Sequence, residues 1–183
     1  NNGASWDNET CQVFTTHYGV AYGNGTFVAV GQNGRIIKST DNASSWENST
    51  SGTTSHFYGV TYGNGNFVAV GQSGMIRTSS DDGSSWTNRS SGSGTHNYGI
   101  TYGNSTFVGV AYYRTIRSTN ASSWSYSNAP YVQSRHHRGV TYGGGSTFVG
   151  VGQYGKIIRS TNSGSSWDNM TTGTSPYPSW GYP

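Results

Sequence analysis

The sequence predicts an all-β protein that is built from one repeated four-stranded unit. The segment "FVAVGQNGRIIKSTDNASSW" at 27–46 returns as "FVAVGQSGMIRTSSDDGSSW" at 67–86, which places two copies 40 residues apart. Short alternating apolar runs are separated by glycine- and asparagine-rich turns, as expected for strands. No segment has the periodicity of an amphipathic helix. The length of 183 residues favours a single domain.

Three residue types mark the repeat. Tryptophans close each copy at spacings of 40, 40, 38 and 43 residues: Trp6, Trp46, Trp86, Trp124 and Trp167. Glycines of the "YGV"-like segments recur every 40 residues: Gly19, Gly59, Gly99 and Gly139. Phenylalanines open the "FVAV" or "FVGV" segments: Phe27, Phe67, Phe107 and Phe148. Self-similarity at such a period is the signature of a repeat architecture.

Each copy contains four short strands. The first is "YGVTY", the second "FVAVG", the third "RIIKS", and the fourth starts at the tryptophan. Asn33-Gly34 favours a tight turn between the second and third strands, because glycine accepts positive φ. One small sheet cannot cover both of its apolar faces, so neighbouring copies must cover them. The pattern therefore predicts a β-propeller of four four-stranded blades with a spare terminal strand.

The blades form one domain over 1–174, with repeats at approximately 7–46, 47–86, 87–124 and 125–167. The tail "SPYPSWGYP" at 175–183 cannot be regular strand, because its prolines lack ladder donors. We expect an extended aromatic docking segment or a linker there.

The loops before the tryptophans carry a family resemblance. "STDNASSW" (39–46) and "SSDDGSSW" (79–86) resemble the Asp-box, Ser-x-Asp-x-Gly-x-x-Trp, of sialidase-like and BNR-repeat propellers. The rest of the repeat is similar to photosystem-assembly-factor-like propellers. Ala43 replaces the usual glycine, and the third loop is one residue shorter. The resemblance implies structural turns at Ser39, Asp41, Trp46, Ser79, Asp81, Gly83, Trp86, Asn120, Trp124, Asn162, Gly164 and Trp167.

The chain offers one fourth strand too many. Trp6 would begin such a strand without a third strand before it, so four complete sets face five fourth strands. The spare strand lies loosely on the surface, belongs to a longer array from which this chain is trimmed, or completes a blade of a neighbouring molecule.

Composition excludes several classes of function. Only 9% of residues are charged, and the ten basic residues are scattered, so we expect no nucleic-acid partner. No apolar run approaches the roughly 18 residues of a membrane span. Cys11 is either a small semi-buried residue or a bridge between chains.

Asn-x-Ser/Thr sequons occur at eight positions: Asn8, Asn24, Asn42, Asn48, Asn88, Asn104, Asn120 and Asn169. Four of them follow a loop tryptophan by two residues, on the outermost strand, where a glycan can be tolerated. Either the repeat copies a polar turn, or the protein is extracellular and glycosylated. We favour the second hypothesis.

No catalytic motif is present. We find no nucleophile elbow, phosphate loop or zinc-protease motif, and most of the seven acidic residues lie in or near the loops. We therefore expect no enzyme, no catalytic residue and no cofactor. His56, His96 and His136 each precede a strand glycine by three residues, which makes them weak metal-ligand candidates. We favour ordinary polar loop residues.

Tyrosines recur on the first strand of each copy, where they either pack between blades or stack on sugars. Our hypothesis is a non-enzymatic, extracellular, glycosylated structural protein that assembles with copies of itself, as a filament through terminal strand exchange. The alternatives are a multivalent carbohydrate-binding propeller and a protein-interaction scaffold.

Overall fold

The structure, a computed structural model, describes residues 15–130 and 136–170. This part of the chain forms four antiparallel four-stranded sheets, and each sheet uses one contiguous stretch of sequence. The predicted all-β class is confirmed.

The strand bounds repeat closely from sheet to sheet. The first sheet contains β1 (His17–Gly23), β2 (Thr26–Gly31), β3 (Ile36–Ser39) and β4 (Glu47–Ser49). The second contains β5 (Phe57–Gly63), β6 (Asn66–Gly71), β7 (Met75–Ser79) and β8 (Thr87–Ser90). The third contains β9 (Asn97–Gly103), β10 (Thr106–Ala111), β11 (Arg114–Ser118) and β12 (Ser125–Asn128). The fourth contains β13 (His137–Gly144), β14 (Thr147–Gly152), β15 (Ile157–Ser160) and β16 (Asp168–Asn169).

The fourth strand of each sheet begins one residue after its tryptophan, whereas the sequence predicts a start at the tryptophan itself. The indole of the tryptophan forms hydrogen bonds outside the strand ladder. Trp86 Nε1 donates to the Ser49 hydroxyl of the first sheet (3.0 Å) and to the Gly83 carbonyl of its own loop (3.2 Å). The side chain thus joins two sheets, and pairing with β7 starts at Thr87.

The turns between second and third strands are short 3₁₀ turns at Gln32–Gly34, Gln72–Gly74 and Gln153–Gly155. Asn33 and Gly34 adopt φ values of 55° and 70°, as the Asn-Gly pair predicts. The Arg35 N–H donates to the Gln32 carbonyl at 2.9 Å and closes the turn. The third sheet has no 3₁₀ turn between β10 and β11.

The core lies between the sheets, in three apolar clusters. The first cluster joins Val28 and Val30 of the first sheet to Phe57, Val60 and Phe67 of the second. The second and third clusters repeat this pattern one and two sheets further along. A sheet therefore becomes stable by packing against its neighbour, because burial of apolar surface supplies most of the stabilisation.

The first strands of the sheets lie innermost and pack side by side in the order β1, β5, β9, β13. One equivalent residue from each of them lines a common cavity of about 380 Å³: Tyr18, Tyr58, Tyr98 and Arg138. The sheets therefore fan out around one axis. Within residues 15–130 and 136–170, no helix has the length and apolar character of a membrane span.

Candidate functional site

The loops before the tryptophans are closed by their own side chains. Asp81 accepts hydrogen bonds from the Ser79 hydroxyl (2.7 Å), the Ser85 N–H (2.9 Å) and the Ser85 hydroxyl (2.6 Å). The Ser85 bonds are the main reason that the pKa of Asp81 falls to about 2. Asp41 has the same arrangement and the same low pKa of about 2. These carboxylates are ionised turn-formers and hold no proton for acid catalysis near neutral pH.

Asparagine does the same work in the third and fourth loops. Asn120 Oδ1 accepts from the Ser123 N–H at 2.8 Å, and Asn162 Oδ1 accepts from the Ser166 N–H at 2.9 Å. An amide oxygen thus replaces a carboxylate oxygen without loss of the turn.

Each of the later loops also rests on the preceding sheet. A Cβ added at Gly83 would lie 3.0 Å from Val28, and one at Gly164 would lie 2.8 Å from Val108. The Asn24 amide, in the β1–β2 turn, donates to the Asp82 carboxylate at 2.9 Å. The loop is therefore part of the contact between sheets as well as a local turn.

A tyrosine packed on a glycine forms the inner edge of every internal interface. A Cβ added at Gly23 would lie 2.0 Å from Cγ of Tyr62 on the next sheet. The corresponding distance is 2.1 Å for Gly63 with Tyr102 and for Gly103 with Tyr142. Any side chain at the glycine would overlap the ring, so each glycine allows the tyrosine of the next sheet to pack against its backbone.

The first sheet carries one half of this interface on its outward side. We name Val20, Tyr22 and Phe27 the first-sheet face. Val20 and Tyr22 are 63% and 58% exposed, whereas the counterparts of Val20 in the next two sheets, Val60 and Ile100, are 8% and 9% exposed. Phe27 is half-buried, although its counterparts in the other sheets are fully buried.

The fourth sheet carries the other half. We name Gly143, Val149 and Val151 the last-sheet face. Val151 pairs with a first-strand glycine, as Val30 does in the first sheet, yet Val151 is 47% exposed and Val30 is fully buried. Among the described residues, only Thr147, of the same sheet, lies within 4 Å of a Cβ added at Gly143.

The described residues show no packing of β13 along β1 that matches the packing of the other inner strands. The two end faces therefore stay exposed in the single chain. One offers a tyrosine and large apolar side chains, and the other offers a glycine and two valines. Together they hold the two complementary halves of the internal interface.

The sequence pointed to other candidate residues, which the structure places apart from these faces. All seven described sequon asparagines are exposed: Asn24, Asn42, Asn48, Asn88, Asn104, Asn120 and Asn169. The amide nitrogens of Asn24 and Asn104 donate to Asp82 and Ser163, whereas Asn48 uses its Oδ1 to accept from Arg35 at 2.6 Å. Glycosylation at these positions stays a prediction. Asn8, Cys11, the strand at Trp6 and the tail at 175–183 lie outside the described residues.

The candidate histidines bind neighbouring groups. Nδ1 of His56 and of His96 accepts the N–H of Asn33 and Ser73, each at 3.0 Å, from the turn of the preceding sheet. Nδ1 of His136 lies 2.7 Å from the Tyr98 hydroxyl oxygen. Within the described part of the chain, no group of three or more His, Cys, Asp or Glu side chains could hold a metal ion.

Solved structures with the same arrangement identify the fold. The chain is similar to YCF48 from Cyanidioschyzon merolae, with a TM-score of 0.73 and 14% identity over 94% of this chain and 61% of that one. Virginiamycin B lyase from Staphylococcus aureus gives a TM-score of 0.76 and 19% identity over 91% of this chain and 59% of that one. The WD40 β-propeller domain of Doa1 gives a TM-score of 0.64 and 11% identity, over 86% of this chain and 54% of that one.

The fold is a β-propeller. The chain spans about three fifths of the length of YCF48 and of virginiamycin B lyase. A further YCF48 structure, with a TM-score of 0.67 and 14% identity over 92% of this chain and 58% of that one, is bound to a D1 peptide. The sequence matches no protein-family model and no curated protein. At these identities the likeness carries the fold alone.

The sequence does not reveal the end faces. Val20 and Val60 occupy equivalent places in similar segments, "YGVAYG" and "YGVTYG". Whether a neighbouring sheet packs on each valine is a relation between distant segments, which a local pattern does not predict.

Proposed function

We propose that this propeller is a non-enzymatic, extracellular, glycosylated structural protein that associates head to tail with copies of itself. The last-sheet face of one copy covers the first-sheet face of the next. The observation that carries the proposal is that these faces are the two halves of an interface that the chain already forms three times internally.

The chemistry of the contact follows from the internal copies. Tyr22 of one molecule packs on Gly143 of the next, as Tyr62 packs on Gly23 within the chain. Val20 then meets Val149 and Val151. Full burial of one such valine contributes about 1.5–3 kcal/mol, so burial of the valines favours association of the two faces over their exposure to water.

A head-to-tail contact joins two different surfaces of the same molecule. Such an interface closes into a ring when its rotation allows closure and otherwise continues as a filament. We propose the filament that the surplus strand at Trp6 predicts, with strand exchange as a second joint beside the face contact. The strand lies outside the described residues, so the face contact is the part of the joint with a structural basis.

Other observations support the remaining parts of the proposal. The exposed sequon asparagines can accept glycans, which favours an extracellular protein. The Asp41 and Asp81 carboxylates are engaged in turns, which favours a non-enzymatic role. The propeller fold of the structural neighbours supports the more general role of a protein-interaction scaffold.

The deciding experiment measures the size of the wild-type protein and of Val20→Asp by light scattering and electron microscopy. We expect wild-type assemblies and a Val20→Asp monomer, because the aspartate places an unpaired charge inside the contact. Val151→Asp should have the same effect from the other side. Tyr126→Asp, on the outer strand of the third sheet and 45% exposed, is the matched control and should assemble normally.

The outcomes separate the parts of the proposal. A monomeric wild-type protein would overturn self-assembly. Assembly that survives both aspartates but disappears on deletion of residues 1–10 would assign the joint to strand exchange instead of the faces. An intact mass of 19.5 kDa for the native chain would remove glycosylation.

A further inference from the structure

The repeat changes character at one place, between β10 and β11 of the third sheet. The other sheets have Gln-x-Gly there, beginning at Gln32, Gln72 and Gln153, whereas the third sheet has Tyr112-Tyr113-Arg114. Tyr113 has a positive φ of 50°, close to the 55° of Asn33, although the loop between β10 and β11 is shorter and forms no 3₁₀ turn.

The two tyrosines border a cavity of about 390 Å³ at the junction of the third and fourth sheets. This volume lies within the roughly 300–1,000 Å³ that is typical of small-molecule sites. The cavity is lined by Gly94, Thr95, His96, Tyr98, Tyr112, Tyr113 and His136. Five of these seven residues have rings.

The rings face the cavity from two sheets at different angles. The ring centroids of Tyr112 and His136 lie 4.6 Å apart, those of Tyr112 and Tyr113 lie 4.9 Å apart, and those of Tyr98 and His136 lie 5.2 Å apart. The tilted rings give an aromatic cradle instead of a flat stack, which suits a ligand that has more than one apolar face.

Polar groups in the cavity have hydrogen-bonding capacity to offer. The Thr95 hydroxyl is buried and has no hydrogen-bond partner among the described residues. A buried unsatisfied hydroxyl in a native site calls for a ligand or water. The second departure from the repeat concerns His136, which lies 2.7 Å from the Tyr98 hydroxyl, whereas its counterparts accept a turn N–H.

The charges nearby are positive. The Arg138 guanidinium lies 4.5 Å from the centroid of Tyr98, and that of Arg114 lies 5.3 Å from the centroid of Tyr113. Burial, and then the Arg138 charge, lowers the pKa of His136, which disfavours a positive charge on its imidazole. The seven lining residues include no carboxylate. The cavity therefore disfavours cationic ligands, and two histidines alone do not make a zinc site.

We propose that this cavity binds the pyranose ring of a glycan. The tyrosine and histidine rings would contact the C–H faces of the sugar, and the Thr95 and Tyr98 hydroxyls would bond to its hydroxyl groups. The site is separate from the end faces and goes beyond the structural role proposed above.

Titration calorimetry with the full chain tests the proposal, using methyl glycosides of glucose, galactose, mannose and N-acetylglucosamine as probes. Tyr112→Gln and Tyr113→Ser restore the residues that other sheets carry at these positions, so both variants should fold. We expect each to raise the Kd for the bound glycoside about threefold to tenfold. Tyr154→Ser is the matched control, because Tyr154 holds the same turn position in the fourth sheet and does not line the cavity. It should bind as the wild type does.

Thermal melting of each variant shows that its fold is intact. Absence of binding for every glycoside overturns the proposal, and so does equal weakening by Tyr154→Ser. Binding of a proline- and tyrosine-containing peptide in place of all sugars also overturns it and assigns a peptide site. Enzymatic removal of the chain's own glycans distinguishes the sources: tighter binding afterwards identifies these glycans as the occupant, and unchanged binding identifies foreign ones.

Discussion

The internal interfaces and the two ends of the propeller use the same kinds of residue in opposite environments. Val60 is 8% exposed inside the series of sheets, and Val20 is 63% exposed at its start. Val30 is fully buried, and Val151, at the equivalent place in the last sheet, is 47% exposed. The repeated apolar residues therefore serve mainly to pack one sheet against the next. The first and fourth described sheets each expose one side of such a contact.

The glycines give the same comparison in its sharpest form. Gly23, Gly63 and Gly103 are required because a tyrosine of the next sheet lies on each of them. Gly143 has no such ring over it from the described residues, and only Thr147 of its own sheet is near. Gly143 lies at the register shift between Tyr142 and Gly144, and the proposed contact would place Tyr22 of the next copy over it.

Removal of a phenylalanine ring should give the largest difference in stability between an internal interface and an end face. Phe67→Ala should lower the free energy of unfolding by about 3–5 kcal/mol, because its ring is fully buried between two sheets. Phe27→Ala should cost clearly less, because Phe27 is half-buried on the first-sheet face. Urea denaturation of an assembly-deficient background such as Val20→Asp provides the measurement. Equal losses would show that something covers this face in the isolated chain.

Substitution of the interface glycines should have the next largest effect. Gly103→Val places its Cβ where the Tyr142 ring lies, so we expect a loss of about 1–3 kcal/mol from overpacking. Gly143→Val has room in the single chain and should leave the melting temperature unchanged while it blocks Tyr22 of the next copy.

Differential scanning calorimetry and light scattering on the same samples would measure both properties. If Gly143→Val still assembled, the proposed register of Tyr22 on Gly143 would be wrong even if the faces meet in another way.

The smallest effect concerns the loops, and it appears only in acid. The folded pKa of Asp81 is about 2, below the ordinary value of 3.8. Stability from this group is therefore complete above pH 3.8 and is lost as the pH falls through 2. Asn120 and Asn162 fill the same role in the later loops and do not titrate.

We expect Asp81→Asn to change the melting temperature little at pH 7, because an amide oxygen accepts the same N–H. The variant should lose less stability than the wild type between about pH 4 and pH 2. Melting curves across this interval measure the difference. Asp41→Asn should behave similarly, because the folded pKa of Asp41 is also about 2. Parallel curves for wild type and Asp81→Asn would contradict the assignment.

Much of the architecture can be predicted from the sequence because the strands and turns depend on residues that are close together in the chain. The Asn33-Gly34 turn and the closure of the Asp81 loop depend on residues within a few positions of each other, so a short pattern predicts them. The Trp86 indole illustrates the limit, since its bond to Ser49 joins it to another repeat, which a local pattern does not predict.

The candidate sites depend on such distant relations even more. Tyr112 and Tyr113 break the repeat visibly, but their cavity also needs His136 from the following sheet. The end faces are exposed because β13 and β1 do not pack together as the other inner strands do in the described residues. No single segment of the sequence predicts this.

The contiguity of each sheet has a consequence for synthesis on the ribosome. Because every sheet is one unbroken stretch with neighbouring strands adjacent in sequence, its pairings close short loops and can form as soon as about 40 residues have emerged. Each new sheet then shields the apolar side of the one made before it. A growing chain can therefore bury one sheet face for each sheet that it adds, and its exposed apolar surface need not increase with its length.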